Sequence, residues 1–298
     1  MALVTGGSRG LGKALARALA EAGADIVIAS RNESELTAAA AEIVQGLGGQ
    51  VRHLVADLGN RDQVERLAAE AIEVFGHVDI LVDDAGVFPA TPLAGLTDRM
   101  WDDTLQVNLT AGLALSRALA PGMRERRWGR IIQISSIAAR AAAPDHMVYS
   151  VAKAAACAMI RGLALELGPY GITANAILPG PFLTGMSEQG LTDEFRRMIA
   201  ERTMLGRWGE PREVGCLVVL LASDAGSYIT GAELVIDGGG PGPRGPGTFG
   251  RVAQMCTCES VMRMRGSLRS WLPRAQRCWW SAREWSNCWW CWRSRSRP

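Results

Sequence analysis

Histidine, cysteine and long apolar runs are all scarce in this chain, and each scarcity closes off a class of function. The three histidines, His53, His77 and His146, stand singly and at no metal-ligand spacing, so no metal site is expected and loop or surface positions are. Only Cys157 and Cys216 precede residue 240, out of seven cysteines. Both fall in apolar helical patterns and read as buried, reduced thiols without a disulfide. The densest apolar run, Cys216–Ala222, has seven residues, far below the roughly 20 of a membrane-spanning helix. The amino end has no basic segment and no signal-peptide core. An excess of positive charge is also lacking before residue 240. The formal net charge of +2 hides a segment from Pro241 to Pro298 with eleven Arg, no Lys and two Glu, whose net +9 leaves −7 for the remainder. A mildly acidic body has no electrostatic reason to hold nucleic acid or an anionic membrane. A cytoplasmic protein with a small-molecule ligand is the expectation.

What the chain does have is alternation. Short apolar runs at Met1–Val4, Asp25–Ser30, Val51–Ala56, Val78–Val82, Arg130–Ser135, Ile172–Ile177 and Glu233–Ile236 read as strands. Between them, helical periodicity covers a stretch from Leu11 closed by Gly23, then Glu33–Leu47, Asp62–Phe75, Asp98–Leu119, Val148–Leu167, Thr192–Arg202 and Pro211–Ser223. Near-continuous apolar strands alternating with helices predict an α/β fold: a single domain over residues 1–240, with a doubly wound seven-stranded parallel sheet and helices on both faces. Ligands in such sheets bind at the carboxyl ends of the strands. Met1 directly precedes the first strand, which leaves it about four residues long and reads as a mis-assigned or truncated start. After Gly238-Gly239-Gly240 the composition changes to Pro, Gly, Arg, Trp and Cys, with seven of ten tryptophans and no period that buries them. Residues 241–298 read as a disordered tail or as the product of a shifted reading frame in a G+C-rich gene. An authentic tail that uses Arg and Trp on nucleic acid or membrane is the alternative.

Chemistry concentrates in three places. Thr5-Gly6-Gly7-Ser8-Arg9-Gly10-Leu11-Gly12 joins the first strand to the first helix. Glycine there lets backbone approach a diphosphate, and the helix start attracts its charge. Tyr149 and Lys153 lie four residues apart on one helix face. A phenol is a poor acid–base group at neutral pH unless a neighbouring cation favours the phenolate. Ser136 precedes Tyr149 by thirteen residues, at the end of the fifth strand.

Together these motifs resemble the short-chain dehydrogenases/reductases, over roughly Met1 to Gly240. The resemblance implies a one-domain Rossmann fold and hydride transfer between a nicotinamide and a carbonyl or secondary alcohol. It implies that Gly6, Ser8, Gly10, Leu11 and Gly12 line the cofactor diphosphate, with Asp57 and Leu58 near the adenine, and that Arg9, Ala85 and Gly86 also bind the cofactor. Tyr149 is then the acid–base group, Ser136 holds the substrate oxygen with Ser135 as the competing choice, and Lys153 also binds ribose. Asn108 serves a proton relay, or caps a helix irregularity. Pro179 and Gly180 match the family's turn, Thr184 the threonine at the nicotinamide carboxamide, and Ile177 the ring pocket. Phe182–Met204 would form a mobile lid, and His146 is placed to touch substrate. A homotetramer through the long helices is also implied.

At the second strand's end stand Ser30 and Arg31, with no acidic residue to receive a ribose hydroxyl. Ser30, Arg31 and Arg9 suit a 2′-phosphate, so NADP(H) is expected over NAD(H), which stays possible. One departure is Asp83-Asp84-Ala85-Gly86, where the family usually has two asparagines. Two carboxylates facing the sheet imply a raised pKa or a lost hydrogen bond. The text most resembles 3-oxoacyl-carrier-protein reductases, and Arg202–Pro211 also resembles gluconate 5-dehydrogenase-like members. A non-catalytic binding protein on the same scaffold is the reading from another class.

Overall fold

The computed structural model describes residues 1–141, 144–184 and 192–239. Its strands are β1 (Ala2–Thr5), β2 (Ile26–Ser30), β3 (Val51–Val55), β4 (Ile80–Asp83), β5 (Gly129–Ile134), β6 (Ile172–Pro179) and β7 (Glu233–Ile236). Among the described residues they form one seven-stranded sheet in the order β3-β2-β1-β4-β5-β6-β7, parallel at every pairing. The helices are α1 (Gly10–Glu21), α2 (Glu33–Val44), α3 (Arg61–Phe75), α4 (Asp98–Leu105), α5 (Ala111–Arg126), α6 (Met147–Leu167), α7 (Asp193–Arg202) and α8 (Pro211–Ala222).

The apolar runs become strands because the sheet is covered twice. Side chains alternate across β1: Leu3 joins Val27, Leu81 and Ile131 against α3, α5 and α6, while Ala2 and Val4 join Ile26, Ile28 and Val82 against α1, α2 and α8. The expected doubly wound sheet is present, with helices on both faces. From β1 the chain runs outward to β2 and β3, then returns to set β4 on the other side of β1. That reversal opens a crevice at the carboxyl ends of β1 and β4.

Several local expectations need correction. The stretch Asp98–Leu119 is not one regular helix. A π turn at Gln106–Thr110 separates α4 from α5, and α5 continues through Pro121 to Arg126. Burial of Leu119, Ala120 and Met123 offsets the backbone bond that proline cannot make. Cys216 is exposed, whereas Cys157 is buried. On α8 the buried face runs through Val214, Gly215, Val218 and Leu221, and Cys216 points away from it. The sequence shows no unbroken apolar run of spanning length, yet the 24-residue segment Met147–Tyr170 is long and apolar enough to cross a membrane. Its apolar side, Ala152, Ala156, Ile160 and Ala164, packs in the sheet core. Of the expected lid Phe182–Met204, residues 185–191 lie outside the described residues, as do Gly240 and the tail from Pro241.

Candidate active site

The glycine turn is a backbone cradle with no room for a side chain at Gly7 or Gly12. Gly6 turns at φ +69°, and a Cβ on Gly12 would lie 2.3 Å from the Gly6 carbonyl oxygen and 2.8 Å from Asp84 Oδ2. The α1 N-cap residue, Arg9, makes no side-chain capping bond, which leaves the positive end of the helix to an anion. Gly10 faces Thr184, whose Cβ would sit 3.6 Å from an added Cβ, so the loop after β6 meets the glycine loop. Leu11 is partly buried against the α1 core.

Thr5, at the end of β1, ties the cradle to β4. Its hydroxyl donates to Asp83 Oδ1 at 2.7 Å and accepts from the amides of Asp84 and Ala85 at 3.1 and 3.0 Å. Gln133 of β5 donates to Asp83 Oδ2 at 2.9 Å. Even with these donors, burial pushes the Asp83 carboxyl above its ordinary value. Asp84 is pushed up to about 7, chiefly by burial, although Lys153 and the Gly12 amide draw it down. The departure from paired asparagines therefore leaves two carboxyls in a place that disfavours their charge.

At the outer end of β2, the Ser30 hydroxyl is buried and has no hydrogen-bond partner, while Arg31 is exposed. Ser8 Oγ donates to Glu35 Oε2 at 3.2 Å, and Arg9 Nη1 lies 3.9 Å from Glu35 Oε1. Sequence reasoning missed Glu35, because it looked for acid at the strand's last residue. Glu35 lies five residues later, and the first turn of α2 folds it back to the loop. Asp57 caps its own turn, its Oδ1 accepting from the Gly59 amide at 2.9 Å, and the buried Leu58 offers its carbonyl to Gln106 at 3.1 Å.

Across the crevice, α6 presents Tyr149 and Lys153. Lys153 is 3% exposed. Its Nζ donates to the Ile134 carbonyl at 2.9 Å and stands 5.7 Å from the centre of the Tyr149 ring. Ser135 donates to the Lys153 carbonyl at 2.9 Å and accepts from the Cys157 thiol at 3.3 Å, so its hydroxyl is committed to packing α6 on β5. Ser136 is half-buried and accepts from the Ala138 amide at 3.1 Å, leaving its O–H to donate elsewhere. Asn108, fully buried in the π turn, clamps Val87 from both sides: Oδ1 accepts from the Val87 amide at 3.0 Å and Nδ2 donates to its carbonyl at 2.9 Å. Gly86 lies against this clamp, since an added Cβ would be 2.6 Å from Asn108 Oδ1. Pro179 is buried at the end of β6, and the Gly180 amide bonds Ile236 at 2.9 Å. Ile177 is fully buried in the core on the α1 side.

Two aromatic rings complete the wall beside Tyr149. Phe88 stacks on His146 with centroids 3.9 Å apart and meets Tyr149 edge-on at 4.6 Å. The His146 Nδ1 lies 3.1 Å from the Pro89 carbonyl. Phe88 carried no signal in the sequence; only the fold of the loop after β4 brings it to Tyr149.

These residues fit a dinucleotide: an orphaned buried hydroxyl at Ser30, a loop with no space for a Cβ at Gly7 or Gly12, and an uncapped helix start. A family profile described as Enoyl-(Acyl carrier protein) reductase matches residues 6–240. L-rhamnose 1-dehydrogenase (NAD(P)(+)) of Azotobacter vinelandii is 39% identical over 242 residues, covering 80% of this chain and 94% of the relative. The chain belongs to the short-chain dehydrogenase/reductase family. The 3-oxoacyl-(acyl-carrier-protein) reductase FabG of Haemophilus influenzae is 36% identical over 239 residues, covering 80% of this chain and 97% of that one. Among solved structures, a variant of the actinorhodin polyketide ketoreductase with NADPH superposes with a TM-score of 0.76 at 30% identity, covering 80% of this chain and 95% of the other. As a member of the short-chain family, the chain is an oxidoreductase that acts on alcohol or carbonyl groups with NAD(P).

Proposed function

We propose that this protein reduces a 3-oxoacyl thioester with NADPH, in the cytoplasm. The observation that carries the reading is the arrangement of Lys153: buried, anchored on the Ile134 carbonyl and 5.7 Å from the Tyr149 ring. A buried ammonium beside a phenol is a device for moving a proton to or from a substrate oxygen. Tyr149 is the proton donor in reduction, and Ser136 donates a hydrogen bond that holds the carbonyl oxygen towards it. Lys153 stabilises the phenolate left behind and holds ribose hydroxyls. Asn108 keeps Val87 and Gly86 in place beside the lysine and serves the relay that returns the proton. The bound cofactor supplies hydride to the carbonyl carbon. Gly6, Ser8, Gly10, Leu11 and Gly12 would hold its diphosphate at the α1 N-terminus, Asp57 and Leu58 would lie near its adenine, Ala85, Gly86, Pro179 and Gly180 would line its site, and Thr184 would bind its carboxamide. Ser30, Arg9 and Arg31 favour a 2′-phosphate there.

The half-exposed Phe88 beside Tyr149 supports an acyl chain as the substrate's body. Exposed Leu113 on α5, and Val151 and Leu165 on α6, support self-association of the helices into a tetramer. The test is NADPH consumption by purified protein with a 3-oxoacyl thioester, with NADH as the paired control. Turnover with NADPH well above NADH is the expected result. Turnover with sugars or sugar acids but not with the thioester overturns the substrate reading.

A further inference from the structure

We propose that Glu35 sets the balance between the 2′-phosphorylated and the unphosphorylated dinucleotide, by keeping a carboxylate beside Arg9, where a 2′-phosphate would lie. This rests on the NADP(H) reading of Ser30, Arg9 and Arg31 above.

The end of β2 carries no acid, which by itself argues for strong preference for the phosphorylated cofactor. The fold changes that balance. Glu35 enters from the first turn of α2, where Asn32 caps the helix by accepting from the Glu35 amide at 3.1 Å. Its carboxylate reaches the glycine loop, accepting from Ser8 Oγ at 3.2 Å and facing Arg9 at 3.9 Å. Both partners in the Arg9–Glu35 pair are well exposed, with side chains 66% and 40% accessible. Such a long, solvated pair exchanges partners at little cost. Arg31, by contrast, makes no ion pair among the described residues, so it meets an incoming anion unopposed.

A 2′-phosphate brings between one and two negative charges to this corner. It gains Arg31 and Arg9, but must displace Glu35 from Arg9 and then remain beside a carboxylate. A bare 2′-hydroxyl meets no such repulsion, because a carboxylate accepts its hydrogen bond. Glu35 therefore penalises one cofactor form and not the other. The residue acts on specificity, and takes no part in the proton or hydride step.

The experiment is a fluorescence titration of the full chain with NADPH and with NADH, without substrate, for the wild type, Glu35→Gln and Glu35→Ala. Glutamine keeps an acceptor for Ser8 and removes the charge. For a carboxylate some 5 Å from the phosphate in water, the Kd for NADPH is expected to fall about fivefold at 0.15 M ionic strength, and further at low salt. The Kd for NADH should stay within about twofold in Glu35→Gln, which keeps an acceptor for the 2′-hydroxyl, and should not fall in Glu35→Ala, which loses it. Melting curves of both variants check that α2 is intact. A purely structural role for Glu35 moves both Kd values together, and that result, or no change in either, overturns the proposal. The parent reading is decided separately by Arg31→Ala. If that variant leaves the NADPH Kd unchanged, the NADP(H) assignment fails on its own, whatever Glu35 does to the ratio.

Discussion

Replacing Asp84 with asparagine removes a charge that the fold holds poorly, and should stabilise the protein in a pH-dependent way. The Asp84 carboxyl sits under the glycine loop, 2.8 Å from where a Gly12 Cβ would be. Burial raises its pKa from 3.8 to about 7. A raised pKa means that the folded state holds the proton more tightly than the unfolded state does. Stability from this group is therefore complete below pH 3.8 and is lost steadily as pH rises towards 7. The difference amounts to roughly 4 kcal/mol at pH 8. Asparagine has no charge to desolvate and keeps an oxygen for the Gly12 amide. At pH 8 the Asp84→Asn variant should melt on the order of 10 °C higher, given about 2–4 °C per kcal/mol for a domain of this size. At pH 4.5 most of that gain should vanish. Asp83→Asn should gain much less. Both Asp83 oxygens accept from donors, Thr5 and Gln133, and an amide would turn an N–H towards one of them. Thermal melts of the wild type and the two variants from pH 4.5 to pH 8.5 measure this. A wild-type melting temperature independent of pH, or no gain for Asp84→Asn at pH 8, refutes the argument.

Three further outcomes follow from the same geometry. Gly12→Ala places a methyl group 2.3 Å from the Gly6 carbonyl; it should cost about 1–3 kcal/mol and weaken NADPH binding at least tenfold, read by melting and fluorescence titration. Tyr149→Phe keeps the edge contact with Phe88 but removes the proton donor, so kcat should fall by about 10² to 10⁴ with the NADPH Kd little changed. Asn108→Ala cuts both bonds to Val87 and leaves part-buried backbone groups without their partner, at a cost of roughly 1–3 kcal/mol in a denaturant titration.

The order of strands and helices was legible because it is local chemistry: sheet residues buried on two faces must be apolar almost without break, as in Ile26–Ser30 and Ile172–Ile177. The glycine loop was legible for a similar reason, since only glycine tolerates the approach of backbone at Gly6 and Gly12. Spacing put Tyr149 and Lys153 on one helix face, and composition showed that Asp83 and Asp84 would be at odds with a sheet. Other features depend on what meets across space, which neither spacing nor composition carries. Whether Pro121 ends a helix depended on the burial of Leu119 and Met123. Which of Ser135 and Ser136 keeps a hydroxyl to donate depended on the Lys153 carbonyl lying over one of them. Glu35 reaches the glycine loop, and Phe88 and His146 stack beside Tyr149, only because turns far apart in the chain converge at the carboxyl edge of one sheet. The sequence by itself determined the parallel sheet, its glycine-rich first turn and the placing of Tyr149 and Lys153 on one helix face. Tertiary structure alone decided how much charge each site carries and which side chains are left with a bond to give, because desolvation and hydrogen-bond partnership are properties of neighbours.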